Sequence, residues 1–141
     1  RKEELFWGSE GGGAYLNGQR IAVSCVTDFS KALLVCAPPH RQHDLVEGYF
    51  NTAQRLFLAV SDFRSFGSCA LELAYIAAGR LDGYYELCLG YYDMAAGMLL
   101  VREAGGEVAN ANPEMPFTDI RCDLIASNGL IHQQILHMVH P

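Results

Sequence analysis

Two carboxylates, Glu86 and Asp93, lie seven positions apart around the junction of a strand pattern and a helix pattern. Glu86 ends the strand-like stretch at 82–88, DGYYELC, and Asp93 opens the helical run at 94–104. A second helix start, Gly67-Ser68 followed by Cys69, precedes the same strand. In open α/β sheets ligands bind outside the carboxyl ends of strands, where helix N-termini also collect. The spacing therefore predicts that Gly67, Ser68, Glu86 and Asp93 converge on one crevice. Carboxylate oxygens suit a hard cation such as Mg²⁺, which takes one or two of them together with phosphate and water. One aspartate does not make a two-metal site. Asp93 also has a plain reading, as a helix N-cap, set against a metal or phosphate role at the positive end of a helix.

Other chemistries are weaker. His40 and His43 stand three apart after Pro38-Pro39, and His132, His137 and His140 fall on or after the last helix. Neither group has a glutamate-bearing zinc motif, so all five read as surface histidines. Ser68 lacks a nucleophile elbow. Cys69 would be a nucleophile only with a depressed pKa, and a packed thiol is the simpler reading. GSEGGG at 8–13 suggests a phosphate loop, but no Lys-Ser/Thr and no helix follow it, so it reads as a strand connection.

The elements that must position these residues follow from periodicity. Residues 4–7 and 14–23 read as strands, with Asn17-Gly18 as a type I′ hairpin turn. Residues 31–37 form a buried strand stopped by Pro38-Pro39. Residues 43–57 carry an apolar residue every three or four positions, an amphipathic helix. A short strand at 63–66 leads into a helix capped by Ser68 and ended by Gly79. A second helix is capped by Asp93 and ended by Gly105-Gly106. Strands at 107–109 and 122–126 and a helix at 130–139 complete the chain. The expectation is an α/β fold: a mixed, mainly parallel sheet flanked by helices over residues 25–141. It is preceded at 1–24 by a β-hairpin belonging to another sheet.

Composition narrows the class. Of 141 residues, 50% are hydrophobic and 18% charged, below the roughly 25% charged of ordinary globular chains. Part of the surface is therefore expected to be covered by something else. The net charge of −6 gives no reason to expect nucleic acid. Five cysteines without a CxxC pair read as buried reduced thiols of a cytoplasmic protein. No apolar run is long enough for a membrane span. The chain opens at Arg1 without a methionine and reads as a piece of something longer.

The run GSCALELAYIAAGRLDGYYE followed by YYDMAAGMLLVREAGGEV closely resembles the C-terminal signature of the inositol monophosphatase family. ELFWGSEGGGAYLNGQRIAVS and ASNGLIH resemble its flanking segments, so nearly the whole chain is covered. The resemblance implies a Mg²⁺-dependent, lithium-sensitive phosphomonoesterase of layered α/β architecture, acting on a small phosphate ester as a homodimer. By that resemblance Asp93 ligates a catalytic metal and Glu86 contacts substrate hydroxyls, while Gly67, Ser68 and Cys69 line the substrate pocket. Tyr92 replaces the usual Trp, with repacking of the pocket wall expected. The family's N-terminal half supplies most metal ligands from a Glu-Glu pair and an Asp-Pro-x-Asp-Gly-Thr/Ser segment. Both strings are expected to lie outside these residues, leaving the fragment inactive alone. Alternatives are a related phosphatase of sugar bisphosphates, nucleotide 3′-phosphates or histidinol phosphate, and a non-catalytic interaction module.

Overall fold

The computed structural model describes residues 3–40, 42–112, 114–117 and 121–140. Its elements are β1 (Phe6–Ser9), β2 (Gly13–Leu16), β3 (Gln19–Arg20), β4 (Leu33–Ala37), α1 (Val46–Ala59), β5 (Asp62–Arg64) and α2 (Cys69–Ala77). They continue with β6 (Gly83–Gly90), α3 (Tyr91–Glu103), β7 (Glu107–Asn110), β8 (Arg121–Ser127) and α4 (His132–Val139). Strands β4 to β8 form one sheet in the order β5-β4-β6-β8-β7. β4 is parallel to both β5 and β6, whereas β8 is antiparallel to β6 and β7. Four strands thus share a direction and β8 opposes them, a mixed α/β sheet as expected.

Alternation along the strands builds two cores, because successive side chains leave a strand on opposite faces. Val35, Tyr84, Leu124 and Ala126 face Leu73, Ile76, Met94 and Met98 of α2 and α3. Leu34, Cys36, Tyr85 and Ile125 face Tyr49, Leu56, Ile131 and Ile135 on the side of α1 and α4. Helices α2 and α3 pack against each other and are buried along much of their length, while Leu71 of α2 and Tyr91, Tyr92 and Asp93 of α3 stay exposed. The five-stranded sheet lies on one side, and β1 and β2 pack against α3 on the other. Gly97 permits the close approach of α2: a Cβ there would stand 2.5 Å from Leu73 Cδ1.

The leading segment is a three-stranded antiparallel sheet, β1-β2-β3, rather than a simple hairpin. Asn17 and Gly18 both have positive φ, 50° and 80°, as the I′ turn requires. The glycine-rich connection already holds an anion of the chain's own. Glu103, at the end of α3, accepts the N–H groups of Gly11 and Gly13, each at 2.8 Å. Those two bonds hold its carboxyl below the ordinary range. This removes the phosphate-loop reading of GSEGGG.

Candidate active site

The carboxyl ends of β4, β5 and β6 open into one cleft of about 820 Å³, with the N-termini of α2 and α3 at its wall. Gly67, Ser68, Cys69, Glu86 and Asp93 all line it. The structure therefore brings the five residues singled out in the sequence to one place.

Two local expectations are corrected. Asp93 is not the N-cap of α3; Gly90 is, and the helix begins at Tyr91. The apolar Tyr91 and Tyr92 masked that earlier start, because neither resembles a capping residue. Asp93 instead sits in the first turn, and its Oδ2 lies so close to Gly90 that a Cβ there would be 3.1 Å away. Among the described residues its exposed carboxylate takes no hydrogen bond and no ion pair. An unpartnered carboxylate over a helix N-terminus is in the favourable field of the peptide dipoles. Nor does Glu86 end its strand. β6 continues to Gly90 across a bulge, with Glu86 opposite Leu124 and Leu89 opposite Cys122. Bulges of this kind re-aim side chains beside sites.

Ser68 does cap α2, its Oγ accepting the Leu71 N–H at 3.5 Å. Gly67 adopts φ 75°, a left-handed conformation that glycine enters without a Cβ clash. The residue that sequence reasoning missed is Glu72. Only 1% exposed, it reaches back from α2 so that Oε1 accepts the Phe66 N–H at 2.6 Å and the Gly67 N–H at 3.2 Å. It thereby fixes the turn that enters the helix. A glutamate near a helix start with a polar cap ahead of it is a recognisable signal, although the spacing here is one residue longer than the usual box.

Electrostatics separate the carboxylates. Glu86 accepts a hydrogen bond from the Tyr84 hydroxyl. Burial is the largest influence on it and, with Glu72 and Asp93 nearby, pushes its pKa up to about 7 against the lowering effect of Tyr84. The Cys69 thiol is pushed up to about 12, chiefly by burial, so it stays protonated and is no nucleophile. Tyr92, expected to repack a pocket wall, is 98% exposed and borders the cleft without packing on a wall among the described residues.

The remaining candidates lie elsewhere or have other roles. His40 borders the cleft, and His43, His137 and His140 are also exposed. His132 is not a surface residue: it is fully buried, with Nδ1 2.8 Å from Ser127 Oγ and Nε2 3.8 Å from Glu107 Oε1, beyond hydrogen-bond reach. Burial lowers its pKa. All five cysteines are free, but Cys25 is exposed and Cys88 half-buried, contrary to a wholly buried set. One Glu-Glu dipeptide does occur, at Glu3-Glu4; the Glu4 carboxylate pairs with Arg80 at 2.7 and 2.9 Å. Glu3 and Glu4 are not among the cleft-lining residues. Among the described residues no group of three or more His, Cys, Asp or Glu could hold a metal ion, and no helix is long and apolar enough to cross a membrane.

Comparison with known proteins agrees with this architecture. A profile of the inositol monophosphatase family matches residues 2–141. The Nus factor SuhB of Escherichia coli is 45% identical over 109 residues, covering 77% of this chain and 41% of that protein. The inositol-1-monophosphatase of Mesorhizobium japonicum is 35% identical over 137 residues, 97% of this chain and 51% of that one. Among solved structures, extragenic suppressor protein suhB from Bartonella henselae superposes with a TM-score of 0.89 at 35% identity, covering 98% of this chain and 52% of its own. Inositol monophosphatase from Anabaena (Nostoc) superposes at 0.88 and 34% identity, covering 96% and 56%. The chain spans about half the length of the relatives it matches.

Proposed function

This chain belongs to the inositol monophosphatase family, and from that premise we propose that it forms one wall of a Mg²⁺-dependent phosphomonoesterase site. The substrate is inositol monophosphate or a similar polyol phosphate. The observation that carries this reading is the Asp93 carboxylate at a helix start, unpartnered among the described residues and sharing one cleft with Glu86 and the Gly67–Cys69 turn. The donor chemistry fits a hard cation, since Asp93 offers solvated carboxylate oxygen and no soft ligand is needed. Bound there, Mg²⁺ would polarise the phosphate and make a coordinated water more acidic.

The chain's own residues supply binding and orientation. The first-turn N–H groups of α2 and α3 that lack intrahelical partners face an anion favourably. Ser68 and Glu72 hold the α2 start rigid through their bonds to Leu71, Phe66 and Gly67. Glu86, with a pKa near 7, is divided between neutral and ionised forms at neutral pH. It can therefore donate to or accept from a polyol hydroxyl. Cys69, protonated, lines the pocket without reacting.

One metal-binding carboxylate is too few to place two metals and a water, so the remaining ligands come from a complementary half. The chain alone shows no Mg²⁺-dependent hydrolysis of inositol 1-phosphate. Joined to the N-terminal half of the Mesorhizobium enzyme, it hydrolyses that ester, and Asp93→Asn abolishes turnover. Turnover by the chain alone would overturn the half-site reading, and an active Asp93→Asn chimera would overturn the role of Asp93. A substrate panel on the same chimera separates inositol monophosphate from sugar bisphosphates, nucleotide 3′-phosphates and histidinol phosphate. Lithium inhibition and a homodimer complete the proposal and are checked by assay and sedimentation.

The SuhB relative, named a Nus factor, favours a second reading as an interaction module. Exposed Phe66, Leu71 and Tyr92 suit that role too. Partner capture that survives Asp93→Asn, with no turnover by any chimera, would establish it instead.

A further inference from the structure

The β6 bulge is held by a contact from outside the cleft. Leu87 and Cys88 together oppose Asp123 of β8, between the pairs Glu86–Leu124 and Leu89–Cys122. Cys88 takes φ 61°, a left-handed conformation in which a side chain crowds its own backbone. A bulge also leaves one residue out of the ladder, and here Asp123 Oδ1 accepts the Cys88 N–H at 2.8 Å. A carboxylate acceptor makes that bond a strong one. Asp123 is not among the residues lining the cleft.

The extra residue changes which face the end of β6 presents. Tyr84 belongs to the core of α2 and α3, whereas Tyr85 and Leu87 pack on the side of α1 and α4. Strict alternation would put Leu89 with Tyr85 and Leu87. Leu89 lies instead in the core of α2 and α3, so the bulge shifts the frame by one position. Gly90 and α3 follow directly. Without that shift Leu89 would leave its core, and the start of α3 would turn with it. Glu86 stands before the bulge and Asp93 after it, so their placement relative to one another passes through Cys88.

We propose that Asp123 is a positioning residue for the reaction: by holding the bulge, it sets the offset between Glu86 and Asp93 that lets one polyol phosphate meet both. This rests on the phosphomonoesterase reading and adds to it a residue that touches neither substrate nor metal. A misplacement of about 1 Å can lower turnover about a hundredfold, so a bond remote from the chemistry can govern it.

The test pairs amide exchange in the chain with turnover of inositol 1-phosphate by the chimera in Mg²⁺. Asp123→Ala speeds exchange of the Cys88 N–H and lowers kcat roughly tenfold or more, with KM changed less than about threefold. Asp123→Asn keeps an acceptor oxygen and most of the turnover. Cys88→Gly in the alanine background restores most of the loss, because glycine enters the left-handed region without help from the carboxylate. Asp123→Glu, which keeps the charge and displaces the acceptor, also lowers kcat and serves where the alanine variant does not fold. Asp82→Ala removes an acceptor of two bonds away from the cleft and leaves kcat in place. Exchange of the Cys88 N–H unaltered by Asp123→Ala overturns the proposal, as does an unchanged kcat. A loss that Cys88→Gly does not relieve, or that Asp82→Ala reproduces, makes Asp123 a structural residue and overturns it too. In each case turnover by the unmodified chimera leaves the monoesterase reading standing. If that chimera is inactive, the reading fails and the role of Asp123 falls with it.

Discussion

Asp82, just ahead of β6, and Glu86, within it, lie four residues apart, yet their surroundings differ in kind. Asp82 receives the Ser24 hydroxyl at 2.5 Å and the Leu33 N–H at 2.7 Å. Asn128 extends this network by donating to Ser24 Oγ and the Val26 carbonyl. Glu86 receives one hydroxyl, from Tyr84, and its charged neighbours are the carboxylates Glu72 and Asp93. A buried carboxylate with its lone pairs filled fastens the chain. One left underfilled among like charges is held at a cost that packing alone does not explain, and such groups gather at functional sites.

The comparison can be broken in four ways. The largest effect falls in the cleft. Asp93→Asn lowers hydrolysis by the chimera roughly a hundredfold or more, while urea unfolding of the chain moves by less than about 0.5 kcal/mol, as for an exposed surface substitution. A large loss of stability would make Asp93 a structural residue like Asp82. Next comes the well-bonded carboxylate. Asp82→Ala leaves two part-buried donors, the Ser24 hydroxyl and the Leu33 N–H, without their acceptor and costs about 2 kcal/mol in urea denaturation, without moving the amide signals of residues 67–69. An equal cost for Glu86→Ala would erase the contrast.

Glu72 sits between the two types, buried and well bonded yet bordering the cleft. Glu72→Ala costs about 1–3 kcal/mol, and Glu72→Gln, which keeps an acceptor oxygen for Phe66 and Gly67, recovers most of it. A glutamine variant as unstable as alanine would show that the charge matters rather than the acceptor.

The smallest effect is the pH dependence of Glu86. Its folded pKa, about 7, lies above the ordinary 4.5, so the folded state holds this proton more tightly than the unfolded chain does. Its contribution to stability is therefore full below pH 4.5 and is lost as the pH rises through about 7. Partial solvation of the carboxyl keeps the loss well below the full shift. Glu86→Gln flattens this slope in a series of unfolding midpoints, and Glu72→Gln moves it to lower pH by removing a like charge. A slope unchanged by Glu86→Gln would assign the titration to another group.

Much of this was readable from residue types. The I′ turn at Asn17-Gly18, the Ser68 cap, the closing glycines and the alternation of strands with helices are local signals, and each has its counterpart in the structure. The earlier start of α3 was not readable, because its cap is a glycine inside an apolar tyrosine run. The β6 bulge was not readable either. It depends on Asp123 accepting the Cys88 N–H from the neighbouring strand, a contact with no signature in the β6 sequence. His132 looked like any polar helix residue until the sheet and α4 closed over it.

The sequence by itself determined the family, the α/β class and five residues that end in one cleft, since helix caps, glycines and apolar periodicity act over a few positions. Only the tertiary structure decided what those residues are free to do. Among the described residues it left the Asp93 carboxylate unpartnered, seated the Glu103 carboxylate on the glycine loop and set Glu72 to fasten the turn. Charge and hydrogen bonding depend on distances between segments far apart in the chain. Those distances exist only once the sheet has brought the segments together.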